Sequence, residues 1–168
     1  MRLIFDPAIR REFPGLVTIA YEIEGVSVKE RSDELEAFKF EAVRKFRESY
    51  RLETLKDVPP LRAYRDFFWR VGIYPTKTRP ASEALLRRVI QGKDMPRINT
   101  LVDSYNIASM ESLVPLAVFD ADKIEGDLTM RMAVAGERFM GIGMTAEETL
   151  TGKEVVIQDS RGLVAIYH

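Results

Sequence analysis

The spacing of apolar residues in this chain shifts from a helical period to strict alternation partway along, and that shift constrains the fold more than any other feature. Leu35, Phe38, Ala42, Phe46 and Tyr50 recur at helical spacing behind the cap candidates Ser32 and Asp33. Leu61, Tyr64, Phe67, Phe68 and Val71 make a second such stripe, closed by Gly72, and Leu85, Leu86, Val89 and Ile90 a third between Pro80 and Gly92. Ile98, Leu101, Val102 and Tyr105 start a fourth, read as a helix over Ile98–Met110. Beyond Pro115 the pattern is that of strands: Leu116–Phe119, Leu128–Val134, Glu154–Ile157 and Leu163–Tyr167, with Gly126, Gly136, Gly152 and Gly162 at turn positions. At the other end, Arg2–Phe5 is a short strand candidate, and Asp6-Pro7 can cap a helix reaching about Arg11. Leu16–Glu24 alternates Val17, Ile19, Tyr21 and Ile23 with smaller or polar residues, as a strand with one buried face does.

Strands at both ends and helices between them predict an α+β fold, with helices packed on a mostly antiparallel or mixed sheet and no βαβ array. At 168 residues and 46% apolar content, one domain over 1–168 is expected. Val58-Pro59-Pro60 separates an N-terminal strand-helix layer (1–58) from the rest (59–168).

Absent residue types exclude whole classes of chemistry. Without cysteine there is no thiolate nucleophile, thiolate metal site or disulfide. The sole histidine, His168, is the last residue, a poor place to hold an imidazole for a Ser-His-Asp triad or a metal cluster. Neither a metal nor a cofactor is expected. No run approaches the roughly 18 apolar residues of a membrane span, and no signal peptide is evident, so a cytoplasmic protein without a membrane partner is expected.

The near-zero net charge of −1 hides a polarity along the chain. Residues 61–98 carry 9 basic and 3 acidic side chains, whereas 99–168 carry 5 and 11. Arg79, Arg87, Arg88, Lys77 and Arg97 are the candidate RNA contacts in the basic stretch, and Trp69 and Tyr74 are its freest rings, since guanidinium groups suit phosphates and rings suit unpaired bases. Two tempting motifs fail. Asp120–Asp127 resembles a calcium loop but has Ile124 at the fifth position, and its twelfth position is Arg131 where a glutamate is needed. Gly141-Ile142-Gly143 lacks the remainder of any phosphate-binding loop.

Asn99, Asp103 and Asn106 share one polar stripe on the fourth helix. Asn99 fits a helix cap, Asp103 a solvated carboxylate, and Asn106 an amide able to donate to and accept from a ligand ester or ribose hydroxyl.

These residues carry a resemblance. Leu101-Val102-Asp103-Ser104-Tyr105-Asn106, then Glu111, then Pro115–Gly126, resembles the B3/B4 domain of the bacterial phenylalanyl-tRNA synthetase beta chain. Arg131-Met132-Ala133, Gly136-Glu137 and Val155–Asp159 resemble later pieces of it, and Arg79–Arg88 is similar to stand-alone members of the family. The resemblance implies a B3/B4-like fold and a pocket built from Asn106, Tyr105, Asp103, Ala117 and Glu111. It also implies tRNA as partner through its aminoacylated 3′ end, and hydrolysis in trans of a mischarged aromatic aminoacyl ester. Two positions depart from the family pattern: Tyr105 stands in place of a threonine, and Ala117 in place of the editing histidine. The family's acidic editing residue falls beyond His168. A second reading is therefore a non-catalytic module binding tRNA, an amino acid or a small metabolite, and a third is a truncated or partner-completed domain whose C-terminal strand comes from elsewhere.

Overall fold

A strand of three residues opens the chain, Leu3–Phe5 (β1), and Asp6 turns it into helix α1, Pro7–Glu12, by accepting the Ala8 N–H at 2.7 Å. The computed structural model describes residues 1–167; His168 lies outside them. Four further helices follow: α2 (Asp33–Ser49), α3 (Pro59–Arg70), α4 (Ala81–Ile90) and α5 (Thr100–Ser112). Then come β2 (Leu128–Met132), β3 (Arg138–Phe139), β4 (Glu148–Thr149), β5 (Val155–Gln158) and β6 (Leu163–Ile166). The fold is α+β with a mixed sheet: in the order β1-β2-β5-β6, β1 runs parallel to β2, and the other two pairs are antiparallel. β3 and β4 form a separate antiparallel ribbon.

The chain divides into two compact units, 1–24 with 119–168, and 25–118. In the first, Ala133, Leu150 and Val156 form a buried cluster against Phe139, Leu163 and Ile166. Its turns are fixed by side chains. Asp159 accepts the backbone N–H groups of Glu125, Arg161 and Gly162, and these bonds hold its carboxyl below the usual aspartate range. Arg131 on β2 grips Glu137 through two guanidinium nitrogens at 2.9 and 2.6 Å and donates to Gln158 on β5 at 2.7 Å. Gly126 has φ +77°, and a Cβ there would meet the Ser160 hydroxyl at 2.6 Å.

The helical unit is packed around Ala42, Phe46, Leu55, Leu61, Leu86, Val89, Ile107 and Met110. Ser32 caps α2 as its sequence position suggested, and Pro59 and Pro60 open α3, where a missing N–H leaves no intrahelical bond unmade. Gly72 and Gly92 follow α3 and α4 with φ of +78° and +83°.

Three local expectations are corrected. Leu16–Glu24 is not a strand: it has no ladder partner among the described residues, and Val17, Ile19, Tyr21 and Ile23 are 66–80% exposed. Alternation makes a segment competent to pair, but a strand exists only where another backbone takes up its hydrogen bonds. Leu116–Phe119 is likewise irregular, because α5 ends in a left-handed turn at Leu113 that does not lead into a ladder. Ile98 lies outside α5 and is exposed, since Asn99 caps the helix and so fixes its start at Thr100.

Candidate functional site

The site residues of the sequence reading all fall in the helical unit, five of them on α5 and the chain that follows it. α5 begins where the Asn99 side-chain oxygen accepts the Val102 N–H at 2.9 Å. One turn on, Asp103 is 2% exposed and fully engaged: one carboxylate oxygen accepts from the Lys39 ammonium at 2.5 Å, the other from the Ile98 N–H at 3.0 Å. Lys39 on α2, itself 7% exposed, also donates to Glu36 at 3.2 Å, and Glu36 takes the Arg97 guanidinium at 2.7 Å. The chain Asp103–Lys39–Glu36–Arg97 alternates in sign and sums to zero, which is what allows it to be buried at one end. Burial alone would push the Glu36 carboxyl up, but hydrogen bonds and charges from Lys39 and Arg97 outweigh it and hold it below the ordinary glutamate value.

A further turn along α5, Asn106 is half-buried, and its amide has no hydrogen-bond partner among the described residues. The three members of the stripe thus have separate fates: a cap, a buried ion pair and an open amide. Tyr105 beside it is half-buried, whereas Glu111 and Ala117 are exposed, Glu111 on the last turn of α5 and Ala117 in the irregular stretch after it. That stretch is anchored at its root. Leu113 takes φ +61°, the Ser82 hydroxyl donates to the Leu113 carbonyl at 3.2 Å, and the Ser109 hydroxyl donates to the Val114 carbonyl at 2.7 Å. Both serines are buried, so the path of the chain away from α5 is set by the core of α4 and α5 themselves.

The basic side chains behave unequally. Glu83 on α4 is wholly buried and is shared by two arginines, Arg65 of α3 at 3.0 and 3.1 Å and Arg87 at 2.7 Å. Arg65 is largely buried by this pairing. Arg97 is exposed yet tied to Glu36. Arg79, Arg88 and Lys77 are exposed; Lys77 lies 5.9 Å over the Tyr74 ring, which meets Trp69 edge to face at 5.1 Å. Arg79, Arg87, Arg88, Gln91 and Lys93 surround a groove whose floor is Ala84, with a volume of about 210 Å³.

Reading the sequence missed the roles of Lys39 and Glu83. Both lie on the apolar stripe of their helices, Lys39 between Leu35 and Ala42 and Glu83 three before Leu86, and a charged residue on a core-facing stripe is the signal of a buried pair. Among the described residues, no group of three or more metal-ligating side chains is gathered. Asp120 instead caps the short turn Ala121–Lys123, and Asp127 is held by Arg2. No helix among the described residues is long and apolar enough to cross a membrane.

The chain belongs to a recognised domain class, the B3/4 domain family, whose model matches residues 63–168. Among curated proteins it is similar to the phenylalanine–tRNA ligase beta subunit of Bartonella quintana (strain Toulouse), 42% identical over 69 residues covering 41% of this chain and 8% of that one. The same subunit of Psychrobacter arcticus is 44% identical over 70 residues (40% of this chain, 8% of the relative), and that of Nocardia farcinica 38% over 95 residues (56% and 11%). The matches thus span only about a tenth of these relatives' length. No solved structure matches the chain significantly.

Proposed function

We propose that the chain binds the aminoacylated 3′ end of tRNA and hydrolyses a mischarged aromatic aminoacyl ester in trans, with Asn106 as the residue that meets the ester or the terminal ribose. The observation that carries this reading is Asn106, a half-buried residue whose amide is open to solvent and takes no protein partner among the described residues, on a helix whose neighbouring Asp103 is locked by Lys39. The likeness to phenylalanine–tRNA ligase beta subunits supplies the ligand class. Attack of water on the ester carbonyl releases the amino acid as its carboxylate and leaves the ribose hydroxyl on tRNA. The ester is already activated, so positioning of water by Asn106, backbone groups and the vicinal ribose hydroxyl is the contribution required. Arg79, Arg88 and Lys77, exposed and without an acidic partner among the described residues, offer cations to the phosphates, and Trp69 with Tyr74 an exposed ring pair for a base.

Two observations favour a second reading, a non-catalytic module that holds the same ligand intact. Ala117 brings no acid-base group, and the Asp103 carboxylate is already occupied. The test is incubation with labelled tyrosine on a phenylalanine-accepting tRNA. Release of label that slows at least tenfold in Asn106→Ala supports hydrolysis. Salt-sensitive binding with an intact ester, weakened by the same substitution, supports the module. Arg88→Ala should lower the slope of log affinity against log salt by about one unit if it holds one phosphate.

A further inference from the structure

Ala84, Arg87 and Arg88 stand at i, i+3 and i+4 and so share one face of α4, followed by its cap residue Gln91. Ala84 contributes only a methyl group, which leaves the floor of the groove open, while Arg79 enters from the loop before the helix and Lys93 from the turn after it. Four cations therefore line one concavity. Two of them are each held through their own Nε. Arg87 donates its Nε to the buried Glu83 at 2.7 Å, and Arg88 donates its Nε to the Asp94 carbonyl at 2.6 Å. In both, the terminal nitrogens that form the bidentate fork make no hydrogen bond among the described residues, so two guanidinium forks are fixed in place with their donors unspent.

Local negative charge is small. Among the described residues Glu83 is the only acid ion-paired with the lining, and Arg65 also binds both its oxygens, while Asp94 meets Arg88 through its backbone carbonyl. Three of the last four carbonyls of α4, its negative pole, are covered. Arg47 of α2 donates to the Val89 carbonyl at 2.8 Å, and the Gln91 and Lys93 N–H groups take the Arg87 and Arg88 carbonyls. Cations brought this close repel one another, and a ligand with two negative charges and several acceptor oxygens on one atom relieves that repulsion better than a monoanionic diester.

We infer that this groove is a binding site for a phosphomonoester dianion carried by a nucleotide, received by the Arg87 and Arg88 forks with Arg79 and Lys93 closing over it. It takes from the proposed function only that this surface meets nucleotide ligands. Two sources share the chemistry, the 5′ end of an RNA chain and a free nucleotide.

The test is titration of the full chain at constant ionic strength with adenosine 5′-monophosphate, adenosine and dimethyl phosphate, followed through the amide resonances of Gln91, Gly92 and Lys93. Saturable shifts with the monophosphate, at least tenfold tighter than with dimethyl phosphate, are expected, together with no shifts with adenosine. At least tenfold weakening is expected in Arg88→Ala and in Arg79→Ala; Arg79 makes no hydrogen bond or ion pair among the described residues, so its loss leaves the helix intact. Equal response to monophosphate and dimethyl phosphate, or unchanged affinity in both variants, overturns the inference. A short RNA bearing a 5′-phosphate that binds at least tenfold tighter than both its 5′-hydroxyl form and the free nucleotide assigns the site to a chain end, and equal affinity for oligomer and free nucleotide assigns it to the nucleotide. Binding of the monophosphate without any binding of tRNA upholds the groove and removes the proposed function. Binding of tRNA that is indifferent to its 5′-phosphate and to Arg88, with no monophosphate binding, does the reverse.

Discussion

Substituting Asp103 separates a structural carboxylate from a chemical one. The Asp103–Lys39 pair is buried at both ends, with side chains 3% and 8% exposed, so solvent screening discounts it little. Breaking a buried pair by removing one partner costs about 3–5 kcal/mol, because the remaining charge stays buried without compensation. The two ends are not equivalent. Lys39 deprived of Asp103 keeps Glu36 at 3.2 Å, whereas Asp103 deprived of Lys39 keeps only the Ile98 N–H. Asp103→Asn is thus expected to cost about 3 kcal/mol, near the low end, and Lys39→Met at least as much. For a chain of this length each kcal/mol moves Tm by about 2–4 °C, so Asp103→Asn should melt about 6–12 °C lower. The double variant Asp103→Leu with Lys39→Met should recover most of the loss, since an apolar pair of similar volume is often neutral in such a place. Urea unfolding of the two single variants and of Asp103→Leu alone, set against that double variant and the unsubstituted chain, checks this. A loss below about 1 kcal/mol in Asp103→Asn, or additive losses in the double variant, would refute the reasoning.

Three further outcomes follow from the packing. Ile19→Lys and Tyr21→Lys should each change stability by no more than about 0.5 kcal/mol, because both side chains are exposed, and a larger loss on urea unfolding would mean the segment is covered. Gly126→Ala should destabilise by about 1–2 kcal/mol from its left-handed backbone, with an added clash against Ser160 that Ser160→Gly relieves; calorimetry of the single and double variants checks both parts. Glu137, Glu154 and Asp159 have carboxyls held below their ordinary values, Glu137 chiefly by Arg131, Glu154 by Thr151 and nearby amides against the effect of burial, and Asp159 by backbone N–H groups. The unfolded chain then binds protons more readily than the folded one. Their stabilisation is therefore complete above the ordinary carboxylate pKa of about 4 and is lost as pH falls through the lower folded values. Unfolding followed between pH 7 and pH 2 should show this, with a shallower fall in Glu137→Gln.

Reading the sequence succeeded where one residue and its near neighbours decide the structure. Asp6, Ser32 and Asn99 cap their helices through bonds spanning two or three residues, and Gly72 and Gly92 close theirs with a backbone few other residues adopt. It failed where the partner is remote. Leu16–Glu24 has the alternation of a strand, but whether another backbone pairs with it is not a property of those nine residues. The site divides in the same way. Asn106 stands out in the sequence only as an amide able to donate to and accept from a ligand, and the engagement of Asp103 depends on Lys39, 64 residues earlier. The residues that carry the family likeness in the other unit, Arg131, Glu137, Gln158 and Asp159, are engaged in holding strands and turns together. They mark the fold more directly than any activity.

The most direct measurement is of the Asn106 side chain itself. Its amide proton resonances can be followed while a non-hydrolysable analogue of tyrosyl-adenosine is added to the full chain. A saturable shift of those protons, with the Lys39–Asp103 core unmoved, is the predicted result. Resonances of Asn106 that stay in place while the analogue binds elsewhere, or while it does not bind at all, would contradict it.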